Sequence, residues 1–111
     1  MSAAVKVYRG DTWQRAWELK DAAGAIIDLT AASARLHVRD ESGSLLIEAS
    51  GSNGRMVIQM AQGRVEMTVP YEAMEIAAGT YSFDFEVTHA GGVRRTYEAG
   101  ALIVLEDQSR G

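Results

Sequence analysis

Over residues 79–88 the chain alternates with a period of two. Tyr81, Phe83, Phe85 and Val87 fall on one parity, and Ser82, Asp84, Glu86 and Thr88 on the other. Side chains of an extended strand point alternately to opposite faces, so this run demands a strand with one face dry and one wet. Ala90-Gly91-Gly92 follows, and then a second run over residues 93–105. Together they predict a long β-hairpin. On the returning arm the odd positions Val93, Tyr97, Ala99, Ala101, Ile103 and Leu105 are mostly apolar. Odd positions face odd positions only across an odd-numbered loop, which favours Ala90-Gly91-Gly92 with a glycine at positive φ. Leu102 and Val104 are apolar on the opposite parity. The end of this arm is therefore expected to be covered on both faces, by another chain or by the N-terminal strand.

The rest of the chain repeats the pattern in shorter pieces. Val5 and Val7 alternate with Lys6 and Tyr8, and Gly10-Asp11 ends that strand. Residues 13–19 place Trp13, Trp17 and Leu19 on one parity, with Arg15 among them. An arginine there lies near an edge, snorkels, or marks a bulge. Asp21-Ala-Ala-Gly24 predicts a turn, and residues 25–28 a short strand closing a small hairpin. Ala34, Leu36 and Val38 alternate with Arg35, His37 and Arg39 in a third long strand, and residues 45–49 give another. Residues 50–54 form a loop. Residues 55–59 and 64–69 predict a hairpin, with Pro70 ending its second arm because proline has no N–H to donate. One short helix is expected near residues 71–77, opened by Pro70 and stopped by Gly79. Many short strands with regular turn signals predict a single all-β domain over residues 1–111, a sandwich or barrel.

The chain of 111 residues is 47 % hydrophobic, enough for one core. With no cysteine, disulfides, thiolate nucleophiles and cysteine-based zinc sites are excluded. The net charge of -4 disfavours broad binding to nucleic acid. Residues 1–8 hold no apolar run of the about 7–15 residues that a signal peptide needs. No stretch approaches the about 18 apolar residues of a membrane span. The expectation is a soluble protein that acts on neither nucleic acid nor membrane.

No constellation of side chains points to chemistry. His37 and His89 are the two histidines, isolated from one another in sequence, and no hydrolase or metalloprotease motif is present. Asp84 and Glu86 share the outer face of one strand, where cross-strand pairing with arginines such as Arg35, Arg39, Arg94 or Arg95 is the expected role. Arg9-Gly10-Asp11 spells a cell-adhesion tripeptide, but at a strand corner it is turn chemistry. Met56, Met60, Met67 and Met74 are expected to fill the core around the middle hairpin. No catalytic residue, no metal ligand and no cofactor is expected.

Two resemblances enter here. Ala78-Gly79-Thr80-Tyr81-Ser82-Phe83 resembles the corner before the sixth strand of immunoglobulin-type domains, with Tyr81 as a tyrosine corner and Phe83 where antibody domains carry a cysteine. This implies an antiparallel immunoglobulin-like β-sandwich without a disulfide. Gly10-Asp-Thr-Trp13, Leu19-Lys-Asp-Ala-Ala-Gly24, Ile27-Asp-Leu-Thr30, Ala34-Arg-Leu-His-Val-Arg39 and Gly79-Thr-Tyr-Ser-Phe-Asp-Phe-Glu86 resemble small tailed-phage virion proteins, including the N-terminal domain of baseplate upper proteins. That resemblance implies a β-sandwich that docks onto other virion proteins, as a homo-oligomer or on a scaffold, located in the virion and in the host cytoplasm during assembly. Val5, Val7, Tyr8, Trp13, Leu102 and Val104 are the candidate interface residues. The alternatives are a carbohydrate-binding or adhesion module using Trp13 and Tyr8, and a small phage-encoded inhibitor of a host protein.

Overall fold

Two strands of unequal partnership organise the molecule, β7 (Gly79–Thr88) and β8 (Arg94–Leu105). They belong to a computed structural model that describes residues 4–106. The other strands are β1 (Ala4–Tyr8), β2 (Trp13–Glu18), β3 (Ser33–Arg39), β4 (Leu45–Ser50), β5 (Met56–Gln59) and β6 (Arg64–Val69). They form a five-stranded sheet in the order β1-β8-β7-β3-β4 and a three-stranded sheet in the order β2-β6-β5. All neighbours are antiparallel except β1 and β8, which run parallel with Val5 beside Leu102 and Val7 beside Val104. The chain is an all-β, immunoglobulin-like sandwich.

One core lies between the sheets. Leu36, Val38, Phe83, Phe85, Val87, Leu102 and Val104 face it from the larger sheet, and Trp13, Trp17, Val65, Met67 and Val69 from the smaller. Trp17 stacks on Phe85 with ring centroids 3.9 Å apart. Trp13 meets Phe83 edge-on at 5.9 Å. The Trp13 indole N–H is buried with no hydrogen-bond partner among the described residues. Met56, Met67 and Met74 fill this core as expected, while Met60 stays half exposed.

The hairpin loop is Ala90-Gly91-Gly92, bracketed by a bond from His89 N–H to Val93 C=O at 2.7 Å. Near the loop odd faces odd, with Val87 opposite Arg95. The register then shifts: Glu86 pairs with Thr96 and Phe85 with Glu98, leaving Tyr97 as an extra residue. One inserted residue reverses the parity of everything beyond it. Leu102 and Val104 therefore face the core, and Ile103 and Leu105 the outside, opposite to the expectation for this arm. β1 covers the edge of β8 along residues 101–105, as one of the two expected covers.

Two smaller expectations change. The helix near residues 71–77 is a 3-10 turn over Tyr71–Met74, with Pro70 preceding it in extended conformation and Glu75 ending it; Gly79 opens β7 instead of stopping the turn. A second 3-10 turn, Met60–Gln62, joins β5 to β6. Residues 25–28 make no strand: a single bridge joins Lys20 and Ile26. The Asp21 carboxylate holds that turn by accepting from the N–H groups of Ala23 and Ala25. A side chain thus satisfies N–H groups that a strand ladder would otherwise have to pair.

Tyr81 completes the corner read from the sequence. Its hydroxyl donates to the Ala77 carbonyl at 2.5 Å, four residues upstream, which pins the chain where it enters β7.

Candidate interaction surface

The sequence-nominated interface residues divide between two environments. Trp13, Leu102 and Val104 are core residues, 3 %, 0 % and 2 % exposed, so they are withdrawn as a contact surface. The parity reversal at Tyr97 turns the two β8 residues inward, and β2 turns Trp13 onto Phe83. Val5 and Val7 are half-buried and pack against the core from β1. Tyr8 is exposed. A glycan platform of Trp13 with Tyr8 loses its tryptophan, because that ring lies between the sheets.

The same reversal sets Ile103 and Leu105 beside Tyr8 in an outer strip. Tyr8 pairs with Leu105, Lys6 with Ile103 and Ala4 with Ala101. Ile103 and Leu105 are half-buried on the outer face of the larger sheet. Ala99 and Ala101 continue the strip along β8, opposite Asp84 and Ser82 of β7. Small side chains there leave a shallow trough, bounded by Asp40 and Glu41 at the β3–β4 turn.

Beside the strip the outer face becomes charged, because β3 presents Arg35, His37 and Arg39 opposite Glu86, Asp84 and Ser82 of β7. Glu86 accepts from Arg35 at 2.8 and 2.9 Å, and Arg94 approaches it at 3.6 Å. His37 lies between two partners: Nε2 is 3.0 Å from Glu48 and Nδ1 is 3.3 Å from the Arg39 guanidinium. Since the guanidinium can only donate, Nδ1 accepts and Nε2–H donates to Glu48. The Asp84 side chain has no hydrogen bond or ion pair among the described residues. Arg35, His37, Arg39, Asp84 and Glu86 line one polar depression on this face, and the pairs within it join β3 to β7 and β4. Among the described residues no group of three or more histidine, aspartate or glutamate side chains is placed to hold a metal ion. Among the described residues no helix is long and apolar enough to cross a membrane.

The open flank between β2 and β8 holds a residue that the sequence reading passed over. Glu98 faces inward opposite Phe85. It accepts from Arg15 Nη2 at 2.7 Å and from Trp17 Nε1 at 2.8 Å, and the Arg15 guanidinium lies 5.2 Å from the Trp17 ring centre. The polar residue on the apolar parity of β2 therefore snorkels to a partner on the opposite sheet. A glutamate between tyrosine and alanine on an amphipathic strand was the available signal, but its parity depends on the bulge.

The adhesion tripeptide is spent on the fold. Gly10 is buried and its N–H donates to the Met74 carbonyl. Arg9 donates to the Ile76 carbonyl and pairs with Glu75 at 3.6 Å.

Two turns hold carboxylates below their ordinary pKa. The Ser42 hydroxyl, then the Ser44 N–H, stabilise ionised Asp40. The Thr30 hydroxyl and N–H do the same for Asp28. Both are solvent-facing turn braces, outside any enclosed site.

No protein-family model matches the sequence, and no curated protein matches it. Among solved structures, CopC from Methylosinus trichosporium OB3b superposes with a TM-score of 0.58 at 17 % identity, over 96 % of this chain and 88 % of that one. Extracellular domains 3–5 of Drosophila OTK align at a TM-score of 0.40 and 14 % identity, over 91 % of this chain and 32 % of that one, too low to bear on the arrangement of strands. At 17 % identity the likeness to CopC is one of architecture, and the chain shares with it an immunoglobulin-like β-sandwich fold.

Proposed function

We propose that this domain is a non-catalytic assembly module, a structural component of a phage or prophage virion that docks onto other virion proteins. The observation that carries the reading is the outer strip of Tyr8, Ile103 and Leu105. Tyr8 is 53 % exposed beside Leu105, on a sheet face where Ile103, Ala101 and Ala99 continue the apolar strip and Lys6 borders it. Burying such a strip against a neighbouring subunit releases water at about 25 cal/mol per Å² of apolar surface, and tyrosine is a favoured anchor of interfaces. The sequence resemblance to tailed-phage virion proteins supports the setting. Docking through this face replaces a route through the last strand, since β8 is an interior strand along residues 101–105.

The test is direct. Purified virions from a lysogen encoding the chain should contain it by mass spectrometry. Ile103→Glu combined with Tyr8→Ser should deplete it from virions while the free domain keeps its circular dichroism. Virions lacking the wild-type chain, together with a strictly monomeric free protein, would overturn the reading.

A further inference from the structure

The outer face of the larger sheet satisfies most of its charges within itself. Glu86 accepts from Arg35 and lies near Arg94. His37 joins Glu48 to Arg39, and Arg39 also donates to the Gly43 carbonyl. Two charged side chains of this face make no hydrogen bond or ion pair among the described residues, Lys6 of β1 and Asp84 of β7. They carry opposite signs. Lys6 is exposed, and Asp84 lines the polar depression beside Arg35, His37 and Arg39.

Their placement about Ala101 is symmetric. Ala101 pairs with Ala4 on one side and with Ser82 on the other. Lys6 lies two residues past Ala4, level with Ile103, and Asp84 lies two residues past Ser82, level with Ala99. The two charges thus sit one strand to either side of β8 and equally far along it in opposite directions, with Ala101 at their midpoint. A strand spacing of about 4.8 Å and a two-residue rise of about 6.8 Å put each of them about 8 Å from Ala101. Ala4, Ala101, Ser82 and Ala99 are all small, so a second surface can approach the backbone most closely there.

The same midpoint separates a projection from a recess. Tyr8, 53 % exposed, stands beyond Lys6 on β1. The depression around Asp84 has a volume of about 220 Å³. A cavity of about 150 Å³ holds benzene, so the recess has room for a phenol ring, and its guanidinium groups favour an aromatic face. A face whose cation and anion, and whose projection and recess, lie on opposite sides of one point is complementary to itself. Any other partner would have to supply the second half of the match, whereas a second copy already carries it.

We propose that this face docks against a second copy of the chain across a two-fold axis passing over Ala101, with Lys6 of each copy set on Asp84 of the other. The proposal rests on the docking role given above to this face and names its partner. The axis lies in the plane of the contact, at right angles to the line from Lys6 to Asp84. The two sheets then cross at roughly a right angle, one of the two ways in which sheets pack face to face. Ile103 falls over Ser82 of the other copy, and Tyr8 over its depression. Such a contact is isologous and closes on two subunits. The charge pairs fix the register more than the affinity, which comes from covering Tyr8 and Ile103.

Sedimentation equilibrium of the full chain over a concentration series tests this pairing. Lys6→Glu and Asp84→Lys each set like charges opposite one another at both ends of the contact. Each variant alone should associate at least tenfold more weakly than wild type. Mixed one to one, the two variants restore both opposite-charge pairs, and the mixture should return to the wild-type association constant. Should Asp84→Lys fail to fold, Ala101→Arg replaces it and should abolish association by filling the midpoint. A wild type that stays monomeric throughout the series overturns the proposal, and so does a mixture that associates no better than its components. A monomeric chain found in virions defeats this pairing alone, and a charge-swapped dimer absent from virions defeats only the virion setting.

Discussion

Trp17 donates its indole N–H to Glu98 at 2.8 Å while its ring lies stacked on Phe85. One side chain of β2 is thereby fixed to two residues of the opposite sheet, by a hydrogen bond at its rim and by packing at its face. Arg15 binds the same carboxylate oxygen. Removing the carboxylate leaves an indole donor and a guanidinium without their acceptor, at side chains 26 % and 19 % exposed for Arg15 and Glu98. Glu98→Ala should cost about 2 kcal/mol of stability. Glu98→Gln, which keeps one acceptor oxygen, should cost less. Urea denaturation of both variants checks the order, and equal losses would show that the charge of Glu98, and neither its bulk nor one retained acceptor, carries the effect.

The Tyr81 corner predicts a hydroxyl-specific effect. Tyr81→Phe keeps the ring against the core and removes the bond to Ala77. The expected loss is about 1 kcal/mol, seen as a lower denaturation midpoint with an unchanged slope. A midpoint equal to wild type would leave the corner without an energetic role.

Gly63 sits where the chain turns from the 3-10 segment into β6, at φ 60°. A Cβ there would come within 2.8 Å of the Ile27 carbonyl oxygen, 2.9 Å of that of Leu19 and 2.8 Å of Ile26 Cγ2. Two of these neighbours are backbone, and Leu19 and Ile27 are themselves joined by a hydrogen bond, so neither yields readily. The left-handed conformation alone costs about 1–3 kcal/mol in a residue with a side chain. Gly63→Ala should lose at least that. Gly51→Ala, in open space, is the control and should move the thermal midpoint little.

Asp40 and Asp28 give the stability a dependence on acid. Each carboxyl is held below its ordinary value in the folded chain, by Ser42 and Thr30 respectively. A depressed folded pKa means that the unfolded chain binds the proton more readily. The stabilisation is therefore present above the unfolded value and is lost as pH falls through the folded one. The thermal midpoint should fall on acidification below the normal carboxylate range. Asp40→Asn retains an acceptor for Ser42 and Ser44 but cannot titrate, so its midpoint should fall less steeply over the same window. Parallel curves would exclude Asp40 from the effect.

Much of the architecture was readable from period-two patterns because burial of one face writes itself into alternate residues. Phe83, Phe85 and Val87 needed no other information, nor did Leu36 and Val38 or the three-residue loop after His89. Tyr81 was readable because its spacing from Phe83 is a local property. The inward turn of Leu102 and Val104 was not. It depends on Tyr97 being skipped by β7, a pairing decision made between strands, and one residue of slippage exchanged core for surface along the remaining arm. The proposed interface moved with it, from Leu102 and Val104 to Ile103 and Leu105. Residues 25–28 have strand composition, yet the Asp21 carboxylate takes over the N–H groups nearby.

The parallel pairing of β1 with β8 has a mechanical consequence. The two outermost described strands lie side by side in the same direction, with Ala4 level with Ala101 and Tyr8 with Leu105. Pulling the two ends of the chain apart slides these strands along each other. The bonds between them then bear the load together instead of opening one at a time, as in an unzipping hairpin. A subunit tethered by both ends should resist stretching with a single high force peak, and single-molecule extension of Val5→Pro or Val7→Pro variants should lower it.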